Sequence, residues 1–443
     1  MKHKNFTRRV RLRLAPPGSP SERFLQRVNR TLFKLRTTTP FAVLLRLLPA
    51  PLAKRLRADR RRRLAEKLAP LTARLLAIID EAGSERPLIV FPPSLDWDTQ
   101  LFQRPQHLAL ALARQGALVI YIQPRVRPEL PEMEWKQEGM LLGNFPVEAL
   151  AGLSQPLIYL LTWNRKFAHV FDRPRLIYDY VDDINVFEGD PQELLQEHRQ
   201  LVASAELVLP TALNLYQETQ AIRPDVLLCP NGVEYERFAA LCAQPAMQPP
   251  ADLDVILRRG FPVVGYYGAL AQWFDYDLVG DLARARPDLS IVLIGPDYDG
   301  TLPPGLLRLP NLDWLGVKAY TELPAYLNFF DVATIPFKLN AITHATSPLK
   351  LFEYMAACKP TIITPMQESQ RYPGVIVAAN ANEFSAAVDR ALVDRHDPQY
   401  LATLQQVAQE NTWDARARQI IDALAKKLAV KPGESQPEWT PPV

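Results

Sequence analysis

Short apolar runs alternate with amphipathic segments along most of the chain. PLIVF (87–91) and ALVIYI (117–122) carry no polar side chain on either face, which is typical of strands buried on both sides. Between them, QRPQHLALALARQG (103–116) has apolar residues at helical spacing and ends at Gly116, as a helix often does. This β-α-β order predicts a parallel sheet covered by helices. Further strands are predicted at 157–161, 175–182, 206–210 and 225–230.

The pattern starts again after a linker rich in Pro and Ala at 239–251. FPVVGYYG (261–268) predicts a strand that enters a glycine turn, and a helix (275–287) and a strand (289–296) follow. The alternation continues at 312–316, 322–330, 331–337, 347–358 and 359–365, and helices are expected at 383–393 and from Asp397 to Ala429. Two such halves predict an α/β fold of two doubly wound domains that face a cleft.

These patterns divide the chain into five parts. Residues 1–82 are a basic, partly helical extension in which 1–20 are expected to be disordered and Gly83 ends the last helix. The remaining parts are a first domain (83–238), a second domain (252–395), helices that cross back to the first domain (396–430), and a Pro-rich, disordered tail (431–443).

Charge is distributed unevenly between the extension and the rest. Residues 1–75 carry 21 Lys and Arg against 3 Asp and Glu, and the remainder carries 30 against 45. Because no long uninterrupted apolar stretch exists, no spanning helix is expected. Phe41 to Ala53 is broken by Arg46, Pro49 and Pro51, which argues against a signal peptide. The basic arm is expected to hold the protein peripherally on an anionic membrane surface at the cytoplasmic face, or alternatively to pack on the acidic body or another subunit.

Three cysteines, Cys229, Cys242 and Cys358, lie far apart and without CxxC spacing. This spacing favours neither a zinc site nor a disulfide framework, and it suggests a reducing compartment.

The strongest chemical signal is SPLKLFEY, from Ser347 to Tyr354. Serine is a preferred N-cap and proline suits the first helical position, so a helix is expected to begin here. Its N–H groups would bind a diphosphate, with Lys350 as a point charge, and Glu353 would accept hydrogen bonds from a ribose diol. A capped amphipathic helix with an exposed Lys and Glu explains this segment equally well.

The longer run 335–365, IPFKLNAITHATSPLKLFEYMAACKPTIITP, resembles the donor-binding segment of GT-B glycosyltransferases of the group 1, family 4-like type. It is most similar to bacterial ones of exopolysaccharide and teichuronic-acid-type assembly. The resemblance implies that Glu353 binds the nucleotide ribose and that Ser347, Pro348, Leu349 and Lys350 bind the diphosphate. Two positions depart from the family: Ala345 stands where retaining members have a second glutamate, and Cys358 stands for the usual glycine.

Two glycine-containing turns belong to the same resemblance. Gly265 to Leu270 resembles the family's donor loop, which implies that Gly268 and Ala269 bind the donor. Glycines in such a turn permit close approach of the backbone to a phosphate or sugar. A tight βα turn explains the glycines equally well, and the usual diphosphate-binding Arg and Lys are not evident. PNGV (230–233) resembles the family's junction signature, which we interpret as a turn with Asn231 and Gly232 at positive φ.

Candidates for acceptor binding and catalysis lie in the first half. Asp182, adjacent to Asp183, follows a predicted strand and matches a position that is often a functional His in the family. A carboxylate there would act as general base in an inverting reaction or stabilise charge in a retaining one, the alternative being a helix cap. His107 is a weaker catalytic candidate, since a histidine inside a helix is more often structural. Acceptor-side candidates in the first βα loop are Asp96, Trp97 and Arg104.

Together these features predict a metal-independent hexosyl- or deoxyhexosyltransferase. It would need no cofactor, would use a nucleotide sugar as donor and would act on a lipid-linked surface glycan. A nucleotide-sugar 2-epimerase of the same fold and a non-catalytic nucleotide-sugar-binding protein are the alternatives. Nucleic-acid binding is disfavoured because the body is acidic and no recognition motif is present. The absence of GxGxxG after a strand disfavours a dinucleotide oxidoreductase.

Overall fold

The computed structural model describes residues 50–83, 86–99, 102–187, 189–243 and 248–429. Residues 1–49 of the predicted basic extension and the predicted tail 431–443 lie outside these residues. The chain divides into two compact units, residues 1–70 and 71–443, and the described part of the first is the beginning of helix α1 (Ala50–Ala82). No helix among the described residues is both long and apolar enough to cross a bilayer.

The second unit begins with the last turns of α1. Leu71 and Leu75 are buried there, and the Thr72 hydroxyl donates a hydrogen bond to the Ala149 carbonyl at 2.9 Å. These contacts make the end of α1 part of the folded body.

The first Rossmann-like domain contains a seven-stranded sheet in the order β3-β4-β2-β1-β5-β6-β7, parallel except for β3. Its central strands are fully buried because helices cover both faces. The elements are β1 (Leu88–Phe91), α2 (Arg104–Arg114), β2 (Leu118–Ile122), β3 (Met133–Gln137), β4 (Met140–Gly143), β5 (Leu157–Leu161), β6 (Arg175–Tyr180), α3 (Pro191–Ser204), β7 (Leu207–Pro210) and α4 (Leu213–Ile222).

Sequence patterns missed the edge of this sheet. MEWKQ in β3 is largely polar because it is an edge strand, and only its antiparallel pairing with β4 makes it a strand. Conversely, the strand predicted at 225–230 is wrong. That segment is extended and Leu227 donates a backbone hydrogen bond to Val208, but it forms no continuous ladder.

The second Rossmann-like domain contains a six-stranded parallel sheet in the order β10-β9-β8-β11-β12-β13. Its apolar residues form one large buried cluster. The elements are α5 (Tyr235–Ala243), α6 (Ala251–Leu257), β8 (Val263–Tyr267), α7 (Tyr276–Ala285), β9 (Ser290–Ile294), β10 (Leu312–Trp314), α8 (Leu323–Leu327), β11 (Val332–Ile335), α9 (Ala341–His344), α10 (Leu349–Ala356), β12 (Thr361–Ile363), β13 (Val375–Val377), α11 (Ala381–Asp394), α12 (Pro398–Glu410) and α13 (Trp413–Ala429).

Helix α13 packs against α2 of the first domain. The Trp413 side chain is buried in the first domain's core, and Arg114 forms an ion pair with Asp414 at 2.8 Å. The chain therefore crosses between the domains at 230–235 and again at 411–413, where Val233 and Thr412 form a parallel bridge.

The expectation that no cysteines pair is wrong. The structure joins Cys242 and Cys358 in a disulfide, although they are 116 residues apart in sequence, and leaves Cys229 as a buried free thiol. The pairing arises because α5 packs beside α10, which brings the ends of the two helices together.

Candidate active site

A cavity of about 280 Å³ lies between the two domains at the carboxyl ends of both sheets. The first domain contributes Arg104 and Asp182, and the second contributes Gly268, Lys350 and Glu353. The ends of parallel strands are where ligands bind in such folds. The structure thus brings together residues that are far apart in sequence.

Helix α10 begins at Leu349 with Pro348 as its N-cap, and no side chain caps it. The expected capping role of Ser347 is therefore wrong. Its hydroxyl instead accepts a hydrogen bond from the Asn231 backbone N–H at 3.2 Å, and the Asn231 side chain donates to the Ser347 carbonyl at 2.6 Å. Because the Ser347 hydroxyl is hydrogen-bonded to Asn231 at the domain junction, it does not cap the N–H groups at the start of α10. Ser347, Leu349 and Lys350 line the cavity at this end of the helix.

Glu353 is buried one turn into α10, with only 1% of its surface exposed. The Tyr267 hydroxyl donates a hydrogen bond to its Oε2 at 2.7 Å, whereas its Oε1 has no well-aligned hydrogen bond, although the Tyr320 hydroxyl interacts with the same carboxylate. Burial raises the pKa of the Glu353 carboxyl to about 7, while the hydroxyls of Tyr267 and Tyr320 act in the opposite direction. A buried carboxylate with an acceptor atom that lacks a well-aligned hydrogen bond beside a cavity is costly unless a ligand completes its hydrogen bonding. This geometry disfavours the alternative of an exposed surface glutamate.

Lys350 extends from the same helix beneath the turn after β8. Its Nζ lies 5.3 Å from the centre of the Tyr266 ring and 5.2 Å from that of Phe337. Burial lowers the pKa of Lys350 to about 8, while the charge of Glu353 acts in the opposite direction. The ammonium group is thus held by two aromatic rings at the cavity wall, where an anion would be its natural counter-ion.

The glycines of the turn after β8 have separate structural reasons. A Cβ on Gly268, whose φ is +140°, would lie 2.7 Å from the Lys350 Cε, so this glycine makes room for the lysine. A Cβ on Gly265 would lie 2.2 Å from the buried Phe330 ring, so that glycine permits packing within the domain. Gly268 and Ala269 line the cavity, as the resemblance implies, but Gly265 does not.

The junction signature also differs from its predicted role. Neither Asn231 nor Gly232 has positive φ, so the positive-φ turn is wrong. Gly232 is required because a Cβ there would lie 2.9 Å from the Thr412 and Trp413 backbone. The motif therefore joins the first domain to the last helix and, through Asn231, to the start of α10.

Asp182 lies two residues beyond β6 and lines the cavity from the first-domain side. Burial raises the pKa of its carboxyl to about 6, with smaller contributions from the charges of Asp179 and Asp183. Such a carboxylate is mostly ionised at neutral pH yet has a pKa close enough to neutrality to accept a proton. Asp183 does not line this cavity, and its charge contributes to raising the pKa of Glu218.

Of the acceptor-side candidates, Arg104 reaches the cavity but is fully committed to other contacts. It forms a bidentate ion pair with the buried Asp179 at 2.8 and 2.9 Å and donates to the Pro230 carbonyl at 3.1 Å. Its position favours a structural role at the cavity floor. Asp96 is exposed, and Trp97 packs edge-on against Phe102 and Tyr121; neither lines the cavity.

His107 lies in the domain junction rather than at the cavity. Its ring stacks on Trp413 with centres 4.9 Å apart, and its Nδ1 lies 3.5 Å from a Glu234 carboxylate oxygen. Burial lowers the pKa of His107 despite the neighbouring Glu234. This environment favours a neutral, packed histidine over a catalytic one.

Residues 262–394 match the family described as glycosyl transferases group 1. This segment runs from the beginning of β8 to the end of α11 and contains Gly268, Lys350 and Glu353. Residues 262–394 are therefore similar to a group 1 glycosyltransferase domain. TuaH of Bacillus subtilis (strain 168), named as a teichuronic acid biosynthesis glycosyltransferase, is 30% identical over 267 residues. The similarity covers 56% of this chain and 66% of TuaH, so the chain spans slightly less than two thirds of that relative.

Solved structures share the fold over most of the chain. Sucrose-phosphate synthase from Thermosynechococcus elongatus has a TM-score of 0.55 at 18% identity and covers 78% of this chain and 100% of its own. Anabaena HepE in complex with UDP-glucose has a TM-score of 0.54 at 17% identity and covers 76% of this chain and 99% of its own. At these identities the likeness establishes the GT-B arrangement of two Rossmann-like domains.

Sequence reasoning missed several residues at the cavity and between the two domains. Tyr267 was present in the glycine-turn motif, but its hydrogen bond to Glu353 depends on the packing of β8 against α10. Tyr320 also lines the cavity, and its buried hydroxyl interacts with the Glu353 carboxylate without a well-aligned hydrogen bond. Glu368 spans the domains, since its carboxylate accepts a hydrogen bond from the Leu213 backbone N–H at 2.9 Å. An acidic residue near a strand end was the only available signal for Glu368.

No group of three or more His, Cys, Asp and Glu side chains in the described part of the chain is arranged to hold a metal ion.

Proposed function

We propose that this protein transfers a hexosyl or deoxyhexosyl unit from a nucleotide sugar to a surface-glycan acceptor. The observation that carries the proposal is Glu353, a buried carboxylate whose Oε1 has no well-aligned hydrogen bond, beside a cavity that Lys350 and the start of α10 also line. Glu353 would accept hydrogen bonds from the ribose hydroxyls, and Lys350 with the helix start would bind the diphosphate. The UDP-glucose complex of HepE and the name of TuaH support a nucleotide-sugar donor and a glycan product.

The reaction would join the two sides of the cavity. An acceptor hydroxyl oxygen forms a bond to the anomeric carbon while the bond from that carbon to the diphosphate breaks. In an inverting reaction the Asp182 carboxylate takes the hydroxyl proton. In a retaining one Asp182 stabilises the positive charge that develops on the sugar, and an oxygen of the leaving diphosphate takes the hydroxyl proton. The leaving diphosphate keeps the electron pair, and Lys350 and the dipole of α10 stabilise its charge. Because these groups supply the positive charge, we expect turnover to survive EDTA.

A thermal-shift series with UDP, GDP and UDP-glucose tests the donor site. A bound nucleotide at 100 times its Kd stabilises the folded state by about 2.7 kcal/mol. We expect at least one of these compounds to raise Tm in the wild type and not in Glu353→Gln. If none raises Tm and no donor is consumed, the proposal fails.

The basic arm is proposed to hold the enzyme on the anionic inner face of the membrane, where a lipid-linked acceptor would reside. Each Lys or Arg near such a surface contributes about 1 kcal/mol, so a small part of the arm suffices for attachment. Full-length protein should pellet with anionic liposomes at low salt and be released at high salt. A truncation that starts at Leu71, which keeps the part of α1 inside the second unit, should not pellet. Equal pelleting of both proteins would contradict membrane attachment through the arm.

A further inference from the structure

A second cavity, of about 210 Å³, opens in the first domain beyond the end of β5. We name it the Trp163 cavity, and its principal lining residues are Trp163, Arg165, Lys166, His169, Glu197 and Leu201. It shares no lining residue with the cavity that contains Glu353. Strand β5 pairs in parallel with β6, which precedes Asp182, so the Trp163 cavity and Asp182 lie at the same edge of the sheet.

The segment that carries this cavity is held firmly by polar contacts. The Asn164 side chain accepts a hydrogen bond from the Leu161 N–H at 2.8 Å, and the Arg165 guanidinium donates to the Thr162 carbonyl at 2.9 Å. The Trp163 indole N–H donates to the Ser94 hydroxyl at 3.0 Å. Because the indole N–H is already hydrogen-bonded to Ser94, a ligand would contact the apolar ring of Trp163. The C–H face of a sugar can pack against such a ring.

The lining also has an excess of positive charge. Arg165 forms an ion pair with Glu197, but no carboxylate among the described residues lies within ion-pair distance of Lys166. The Lys166 ammonium lies 5.2 Å from the centre of the Phe167 ring. Burial lowers the pKa of His169, so at neutral pH its ring is a hydrogen-bonding group rather than a third cation. Two cations thus face one carboxylate.

We propose that the Trp163 cavity binds one anionic sugar residue of the acceptor, with the sugar ring against Trp163 and its carboxylate or phosphate on Lys166 and Arg165. This assignment rests on the proposed glycosyltransferase function, since it places the acceptor on the Asp182 side. A neutral sugar would not pair with the excess positive charge, and a free inorganic anion would not pack against the indole ring.

Ligand-observed NMR titration of the full chain with D-glucuronate, glucose 6-phosphate and glucose tests this assignment, with and without saturating UDP. At least one anionic sugar should bind about tenfold or more tightly than glucose, because a charge-assisted hydrogen bond is worth that much. Lys166→Glu should abolish that preference and leave glucose binding unchanged. Arg199→Glu is the matched control, since Arg199 is an exposed cation on α3 that does not line the cavity. The Kd for UDP should be the same in all three proteins.

A preference for glucuronate supports a uronic acid in the acceptor, and a preference for glucose 6-phosphate supports a phosphorylated one. Glucose that binds as tightly as both anions overturns the assignment, as does an equal loss in Arg199→Glu and Lys166→Glu. If UDP fails to bind while the anionic sugar still binds through Lys166, the donor site is wrong and the Trp163 cavity stands. If UDP binds and the anionic sugars do not, the cavity assignment is wrong and the donor site stands.

Discussion

The second domain contributes its candidate residues to the Glu353 cavity from one helix and one turn. The first domain carries its candidate residues in two separate cavities, on loops that follow different strands. Lys350 and Glu353 are three residues apart on α10, and Gly268 fixes the lysine between two rings. Asp182 and Trp163 follow different strands, and their relative position depends on the register of β5 with β6. Side chains on one helix keep a fixed geometry, while loop residues vary freely between relatives. The second-domain residues are therefore recognisable in sequence as a set, whereas the first-domain residues are not.

The largest expected effect concerns the first-domain side. Asp182→Asn should lower kcat by about 10²–10⁴ with little change in donor affinity, because it removes the proton acceptor but no donor contact. Turnover is measured as nucleotide release from the donor that gives the largest Tm shift, with octyl glucoside and octyl glucuronide as acceptors. Glu218→Gln is a control carboxylate outside the cavity. A kcat within a few-fold of wild type would make Asp182 structural.

The next effect concerns the second-domain side. Glu353→Gln should weaken nucleotide binding at least ~100-fold, since two charge-assisted hydrogen bonds of about 1.5–3 kcal/mol each are lost. Calorimetric titration with UDP measures it. Glu410→Gln, at an exposed position on α12, should leave the Kd unchanged. An unchanged Kd in Glu353→Gln with a normal Tm would remove Glu353 from the donor site.

A smaller effect is the pH dependence of donor binding. The Glu353 carboxyl has its pKa raised to about 7 and must be ionised to accept two hydrogen bonds, so affinity should fall as pH drops below 7. Lys350 has its pKa lowered to about 8 and must be charged to pair with a diphosphate, so affinity should also fall as pH rises above 8. Each limb approaches about tenfold per pH unit. UDP titrations should run from about pH 5.5 to about pH 9.5, which is about two units on either side of the midpoint of the two pKa values. The affinity for UDP should be highest between the pKa of Glu353 and that of Lys350.

Variants separate the two limbs of that profile. Glu353→Gln should abolish the acidic limb and Lys350→Met the alkaline one. A flat profile in the wild type would mean that neither group titrates with donor binding.

The smallest effect tests the connection between the two sides. Ser347→Ala should destabilise the fold by about 1 kcal/mol, because the Asn231 backbone N–H loses its acceptor while the second Asn231 bond to the Ser347 carbonyl remains. Urea unfolding measures it, with Ser204→Ala as the control, since that hydroxyl bonds only within its own helix. A larger loss for Ser204→Ala than for Ser347→Ala would contradict the proposed role of Ser347 at the junction.

The sequence by itself determined the two α/β halves, their buried central strands and the helix that follows Ser347 and Pro348. Uninterrupted apolar runs such as LVIYI are stable only when they are buried on both faces. They therefore indicate a parallel sheet whose two faces are covered by helices. The SPLKLFEY segment was recognisable because all its functional residues lie within two helical turns, where local spacing fixes their relative positions.

Only the tertiary structure decided what these residues contact. Ser347 carries a strong local signal for helix capping, yet its hydroxyl is used by Asn231, 116 residues away. Cys242 and Cys358 pair for the same reason, and the polar strand β3 forms only because β4 lies beside it. The incompletely hydrogen-bonded Glu353 carboxylate and the Trp163 cavity likewise depend on which elements pack together. Contacts of this kind join segments that are far apart in the sequence. Local residue patterns do not encode which of these segments pack together.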